Sequence, residues 1–440
     1  MVVENFITAT CNPSLKSSQT ASLKVAGIFV YELQPDTGLK LSLKNSSTPI
    51  NALAASSTHI FAAQVDKAAV HVYSREKQNQ ESTIYFPFRV HSLAIIGDGI
   101  LVLGTAEGRL ILWELSSGRQ VSTVAAHLRP VNCVAATNLH IVSGSEDSKL
   151  YVWLIPQILS LSRSVTCEPL RCLSNHQAPI TSLALGHSGS TTNICVSASR
   201  NNTVLVWNYH SGQILRTFLL SKTPLCLTLD PCDRGVYIGL ENGSVQLIEF
   251  FQSNTIKHPL YDTNLQAIPI KVSTPEWTVP GNVGSILCIR SNYDGTFLLS
   301  GHESGEIHHW DTGRRQFSSE IVNLATPVTN ILFESPFPEK KSTRIMTITK
   351  PKLTNNNYVF NTQFIGSISS EFEEAILAEG IPVEMIKEAV SKFTSTAEPS
   401  SEANQKLKKD NDDLWKIINE QRAVQKKTWE KYTSLQAAKS

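Results

Sequence analysis

Two groups of residues have types and spacings that could do chemistry. The first is Gly301-His302-Glu303-Ser304-Gly305-Glu306-Ile307-His308-His309, where imidazoles and carboxylates are interleaved. A zinc hydrolase needs two His one helical turn apart with a Glu beside the first. That spacing is missing here. The glycines make the run a hairpin, on which His302 and His308 need not converge, so structural histidines are expected and no metal. The second group is His127, Ser143 and Asp147, the residue types of a nucleophilic triad. Ser143, however, ends the alternating run His140-Ile141-Val142-Ser143, which reads as a buried strand. A nucleophile there has no access to substrate. The chain also lacks a GxxxxGK[ST] phosphate loop and a GxGxxG turn after a strand. The expectation is a protein that is not an enzyme and holds no cofactor.

The same residue types return along the chain, which points to architecture. Seven short alternating runs end at Tyr31, Tyr73, Trp113, Trp153, Trp207, Ile248 and Trp310. Most lie about 40 residues apart, the period of a WD repeat, one propeller blade each. Two gaps stretch to 54 and 62 residues. In WD repeats a His, a strand Ser, a turn Asp and a Trp form a buried hydrogen-bonded network. The fourth repeat offers all four: His127, Ser143, Asp147 and Trp153. The fifth keeps His176, Ser197 and Trp207 with Asn201 in the turn. The seventh keeps Ser300 and Trp310, with Ser304 in the turn. The third keeps Trp113 but has Leu103 where Ser would stand. Burying these polar groups is tolerable only when each finds a partner. The fold expected is all-β, a seven-bladed WD40 propeller with a C-terminal helical extension.

The long gaps hold two insertions, from about Leu154 to Ser174 and from about Phe251 to Asn282. Loops of this length tend to be functional or disordered, so both are candidates for partner contact. The candidate strands Phe6-Ala9, the run to Tyr31, Val328-Phe333 and Arg344-Thr349 are expected to share one closing blade. Closure of this kind protects sheet edges. Domains are therefore expected at 1–350 (propeller), 351–403 (short helices and a Ser/Thr/Pro linker) and 404–440.

That last segment has neither Pro nor Gly from Asn404 to Gln436. Leu407, Leu414, Ile417, Ile418, Val424, Trp429, Tyr432 and Leu435 recur at three- and four-residue steps, an amphipathic helix. A free helix of this length is marginal alone, so its stripe must cover the propeller, a second copy or another subunit. Net charge is +1, which gives no global field toward nucleic acid. Lys340, Lys341, Arg344, Lys350 and Lys352 are a local candidate for RNA contact, against the plainer reading of solvated loop charge. No stretch approaches 18 uninterrupted apolar residues, so no membrane span is expected. None of the 8 cysteines forms a CxxC pair, and buried free thiols are expected. The start of the chain does not read as a secretory signal.

Together with the repeat pattern, Leu101-Val102-Leu103-Gly104-Thr105, Ser143-Gly144-Ser145 and Leu414-Trp415-Lys416-Ile417 make the chain resemble one family. It is the WD-repeat subunit of the rixosome, the WD repeat-containing protein eighteen family. The resemblance implies a nuclear scaffold, nucleolar and nucleoplasmic, in pre-rRNA processing at the second internal transcribed spacer. It implies helical-repeat partner subunits, the pre-60S particle and an AAA-type remodelling ATPase, with a further link to chromatin and replication licensing. The alternative is a different class of role, an adaptor for a ubiquitin ligase or a vesicle coat, because propellers host many functions.

Overall fold

The structure is a computed structural model. It describes residues 4–12, 26–34, 37–160, 167–187, 193–250, 260, 266, 268–281, 283–334 and 348–351, and a scatter of helical residues between 409 and 431. Contacts divide the chain into Met1–Ile365 and Gly366–Ser440. In the first unit the described strands form seven sheets, antiparallel except for one added parallel strand. Each of the seven periodic runs becomes the third strand of one sheet, counted outward from the axis. The first unit is a seven-bladed propeller.

Blade 4 shows why the sequence folds this way. Val131–Ala136, His140–Ser145, Leu150–Leu154 and Arg171–Leu173 pair in order. The second and third strands are buried and alternate between the two neighbouring blades. The fourth is short and largely exposed. Seven hydrophobic clusters result, one between each pair of adjacent blades. The apolar core is thus a ring of seven interfaces.

A small recurring device sets the distance between inner strands. Each of five inner strands carries a register shift followed by Ser92, Cys133, Ser182, Cys226 or Cys288. Opposite four of these stand Gly104, Gly144, Gly239 and Gly301. A Cβ at Gly144 would lie 2.7 Å from Cys133 Sγ and 3.0 Å from Ile180 of the next blade. Ser92 Oγ and the Cys226 and Cys288 thiols donate to the carbonyls of Val131, Ile286 and Val328, each on the next inner strand. Three of the four fully buried thiols therefore belong to blade packing: Cys133, Cys226 and Cys288. Burial pushes Cys133 and Cys288 up to about 12, so they stay protonated and inert.

Closure differs from expectation in its outer strand. Blade 1 runs Val328–Phe333, Glu4–Thr10, Gly27–Gln34, Gly38–Lys44. The fourth place belongs to Gly38–Lys44, a hairpin neighbour, and not to Arg344–Thr349. Of that expected strand only Ile348 and Thr349 are described, and they lie against blade 3. Thr349 N–H donates to Leu115 O at 2.8 Å, and Ile348 packs on the cluster between blades 2 and 3.

The insertions also enter the fold. Ile155–Ile158 forms one helical turn whose Ile155 and Ile158 join the cluster between blades 3 and 4. In the second insertion Pro269–Lys271 adds a parallel fifth strand to Gln213–Leu219 of blade 5. Trp277 makes a single bridge to Val245, all that blade 6 has in its fourth place among the described residues. Pro275 has no N–H, so the bridge cannot extend into a ladder.

Gly301→Val should test the packing device. The added Cβ falls inside contact distance of Val328 Cγ1 and 2.7 Å from Cys288 Sγ. A loss of about 1–3 kcal/mol is expected from overpacking, read by chemical denaturation. An unchanged midpoint would mean that the inner strands are not held by this contact.

Candidate functional site: buried networks and surfaces

The fourth blade brings its four residues together. Trp153 Nε1 donates to Ser143 Oγ at 3.0 Å, and Ser143 Oγ lies 2.9 Å from His127 Nε2. His127 Nδ1 lies 3.1 and 3.2 Å from the two Asp147 oxygens. One proton arrangement satisfies every group. The indole donates to the hydroxyl, the hydroxyl to Nε2, and Nδ1–H to the carboxylate. Burial would raise the Asp147 carboxyl. The bonds from His127 and from the N–H groups of Lys149 and Leu128 outweigh it and hold the acid below its ordinary range.

The fifth blade makes the same chain by other means. Trp207 donates to Ser197 at 2.8 Å, and Ser197 meets His176 Nε2 at 2.7 Å. His176 Nδ1 then finds Thr203 Oγ1 at 3.2 Å, and Thr203 in turn donates to Asn201. Asn201 is thus one step removed from the imidazole. In the seventh blade Trp310 donates to Ser300 at 2.7 Å, and His302 Nε2 stands 2.9 Å from that hydroxyl. The imidazole comes from the same strand as the serine, two residues on. Sequence reasoning had set His302 aside as generically structural. Its parity with Ser300 on the strand was the signal available. Burial pushes His176 down to about 4 and His302 to about 3.

Blade 3 has the indole without the serine. Trp113 is fully buried beside Phe61 and Phe86, and its Nε1 donates to Thr349 O at 3.1 Å. The segment after the last blade thus supplies the acceptor that Leu103 cannot. Nothing in the third repeat itself could have revealed this.

The three serines of these networks are fully buried, as are Trp113, Trp153, Trp207 and Trp310. The networks can hold strands and cannot meet a substrate. Among the described residues one group has metal-ligand types, Glu306, His308 and Glu320, with donor atoms within 4.8 Å of one another. His308 Nε2 already contacts Glu306 at 3.1 Å, and Glu320 faces solvent, which makes the trio a cross-strand charge cluster.

Of the candidate RNA-contact residues only Lys350 is described, and it is exposed; Lys340, Lys341, Arg344 and Lys352 lie outside the described residues. Of the terminal stripe Val424 is described, helical and 60% exposed. Leu407, Leu414, Ile417, Ile418, Trp429, Tyr432 and Leu435 lie outside. The helical side chains described between 409 and 431 are exposed, with a Lys416–Asp413 pair at 3.2 Å.

Comparisons with known proteins agree with this geometry. The model of the WD domain, G-beta repeat, matches residues 118–153, 167–208 and 273–311. The three matches end at or just past Trp153, Trp207 and Trp310, the indoles that donate to a strand serine. A solved structure of the computationally designed Ika8 protein superposes with a TM-score of 0.51 at 19% identity, covering 73% of this chain and 89% of that one. The chain is therefore a WD40 β-propeller protein. WD repeat-containing protein 18 of Danio rerio is 27% identical over 306 residues, 68% of each chain. The human protein of that name is 26% identical, covering 69% of this chain and 68% of its own. The pre-rRNA-processing protein crb3/ipi3 of Schizosaccharomyces pombe is 25% identical, over 66% of this chain and 71% of its own. Within the WD40 proteins, this chain is similar to proteins named WD repeat-containing protein 18 and pre-rRNA-processing protein Ipi3.

Two measurements probe the networks. Ser143→Ala leaves the Trp153 indole and His127 Nε2 unpaired and should cost about 1–3 kcal/mol. Trp153→Ala should cost about 3–5 kcal/mol. Wild-type melting of either variant would contradict a satisfied buried chain. The second is pH. His176 and His302 are neutral when folded and titrate near 6.5 when exposed, so the unfolded chain binds protons first. Stability should be full above pH 6.5 and fall as pH drops toward about 4 and then 3. Asp147 adds a further loss below 3.8. His176→Asn should flatten the upper part of that curve; an unchanged slope would show that His176 is not buried neutral.

Proposed function

We propose that this chain is a non-catalytic scaffold subunit of a rixosome-type nuclear complex. It would act in pre-rRNA processing at the second internal transcribed spacer and in pre-60S maturation. The observation that carries this reading is the similarity, over about two thirds of the chain, to proteins named for pre-rRNA processing. The fold supports it from below. A propeller presents many loops from a rigid ring, and here the Trp–Ser–His bonds of blades 4, 5 and 7 are buried. The propeller docks helical-repeat subunits, and the complex engages the pre-60S particle and an AAA-type ATPase. Residence is nuclear, in nucleolus and nucleoplasm, with a further role at chromatin or in replication licensing. The near-neutral charge of +1 supports contact with RNA through other subunits over direct reading.

The terminal helix is assigned the assembly role. Its described residues are exposed and mostly charged or polar, and the sequence spaces its apolar residues at three- and four-residue steps. Truncation before Asn404 should leave a folded propeller with a lower oligomeric mass, read by light scattering at matched concentration. An unchanged mass would remove self-association from the account. Purification of the tagged endogenous protein should recover pre-60S proteins, helical-repeat subunits and a large ATPase. A cullin or a vesicle coat in their place would overturn the scaffold reading in favour of an adaptor.

A further inference from the structure

Blade 6 is incomplete at its outer edge, and the gap has a definite chemistry. Its third strand, Val245–Glu249, pairs inward with Gly235–Leu240. Leu240 N–H bonds Ser244 O, and Phe250 N–H bonds Arg234 O. The even-numbered residues therefore point their backbone groups inward, and Val245, Leu247 and Glu249 point theirs outward. Val245 is satisfied, since it exchanges both bonds with Trp277. At Leu247 the carbonyl accepts from the Thr274 hydroxyl at 2.8 Å. Among the described residues nothing meets Leu247 N–H or either backbone group of Glu249.

Beside this edge lies a groove of about 620 Å³ between blades 6 and 7. Its floor includes Tyr237 and Leu247, members of the cluster between those blades. Gly235, Gly295 and Gly313 leave its walls low. Arg234 and Arg315 stand at the rim with their side chains 66% and 49% exposed. Each is paired with one carboxylate, Asp230 and Glu249. A guanidinium carries five N–H donors, so the rim keeps donors to spare.

We propose that this groove is a docking site for an extended segment of a partner protein. The segment adds as a short strand at Glu249, seats one apolar side chain over Tyr237 and Leu247, and carries an acidic residue toward Arg234 and Arg315. Leu247 N–H and both backbone groups of Glu249 lie on one outward edge, interrupted only by the Leu247 carbonyl that Thr274 occupies, and they call for a short strand, because an extended backbone presents acceptors and donors at that spacing. The rim calls for the acid. The protein itself shows the mode one blade away, where Pro269–Lys271 joins the outer edge of blade 5 by strand addition.

The test has two arms on the full chain. Hydrogen exchange of the isolated protein should show the Leu247 and Glu249 amides exchanging fast, beside a protected Val245. Slow exchange at both would mean that the chain covers its own edge, and would overturn the proposal. In the second arm p-benzoylphenylalanine replaces Gly313 in cells, and crosslinks are mapped by mass spectrometry. The expected product joins position 313 to a segment of another protein with an apolar residue flanked by an acidic one. Glu249→Pro removes an outward N–H without breaking an inward bond, and should cut that crosslink at least tenfold while melting stays unchanged. Should melting fall, Arg315→Ala serves as the second variant, with the same expected loss. Crosslinks to this chain alone, none at all, or full yield in both variants would each overturn the proposal.

Discussion

The pairing of Glu4–Thr10 with Val328–Phe333 is the interaction on which the rest depends. It joins strands more than three hundred residues apart and closes the ring. Side chains reinforce the seam. Thr329 Oγ1 donates to Thr48 O, Asn330 Nδ2 to Pro49 O, and Arg75 pairs with Glu334. Without this pairing Val328–Phe333 stays with blade 7, and the strands Glu4–Thr10, Gly27–Gln34 and Gly38–Lys44 are left as an open three-stranded sheet. Two sheet edges and two faces of the core would then meet water. The entropy cost of closing so long a loop grows only slowly with its length, whereas every blade interface gains a fixed neighbour. Closure therefore converts seven weak sheets into one cooperative ring.

Within that ring, polar groups follow a rule of mutual need. The position ten residues before the third-strand aromatic is Ser in blades 4, 5 and 7, and there the aromatic is Trp. In blade 6 it is Ile238, and the partner is Ile248, so acceptor and donor are lost together. Both isoleucines are buried, and neither has a polar debt to settle. Blade 3 breaks the rule with Leu103 and Trp113, and there the chain brings Thr349 across to accept the indole hydrogen. An unpaired buried N–H costs about 1–3 kcal/mol, enough to hold a segment that would otherwise have little reason to dock. Erosion of the repeats is thus constrained: pairs change together, or a distant residue compensates.

This also explains what the sequence could and could not reveal. Third strands were legible because alternation and a terminal aromatic are local signals. The four residues of blade 4 were legible because each stands at its usual place. His302, Thr203 and Thr349 supply the same bonds from other places, and hydrogen bonding fixes the atom that is needed, not the residue that brings it. Gly38–Lys44 alternates Leu39, Leu41 and Leu43 with Lys40, Ser42 and Lys44, a legible strand signal, but it has no terminal aromatic and so fell outside the repeat pattern. Arg344–Thr349 looked more like a strand, with Ile345, Met346 and Ile348 in a short run. The described end of that run instead serves an indole. The candidate surface was less legible still, since an edge is defined by what fails to pair with it.

The uneven outer edge is where this ring differs most from a regular one. Among the described residues blade 5 carries five strands and blade 6 three, because Pro269–Lys271 of the second insertion pairs with the earlier blade. Pro275 then prevents Trp277 from extending its bridge. Five of the inner strands have less room to vary, since each carries a Ser or Cys after a register shift, four of them opposite a Gly. Variation is therefore confined to the perimeter, and a partner binding there meets an edge held rigid from within. Binding to a preformed edge forfeits little conformational entropy on this side of the interface. The ordering cost falls on the arriving segment, which suits a short extended peptide better than a second folded surface.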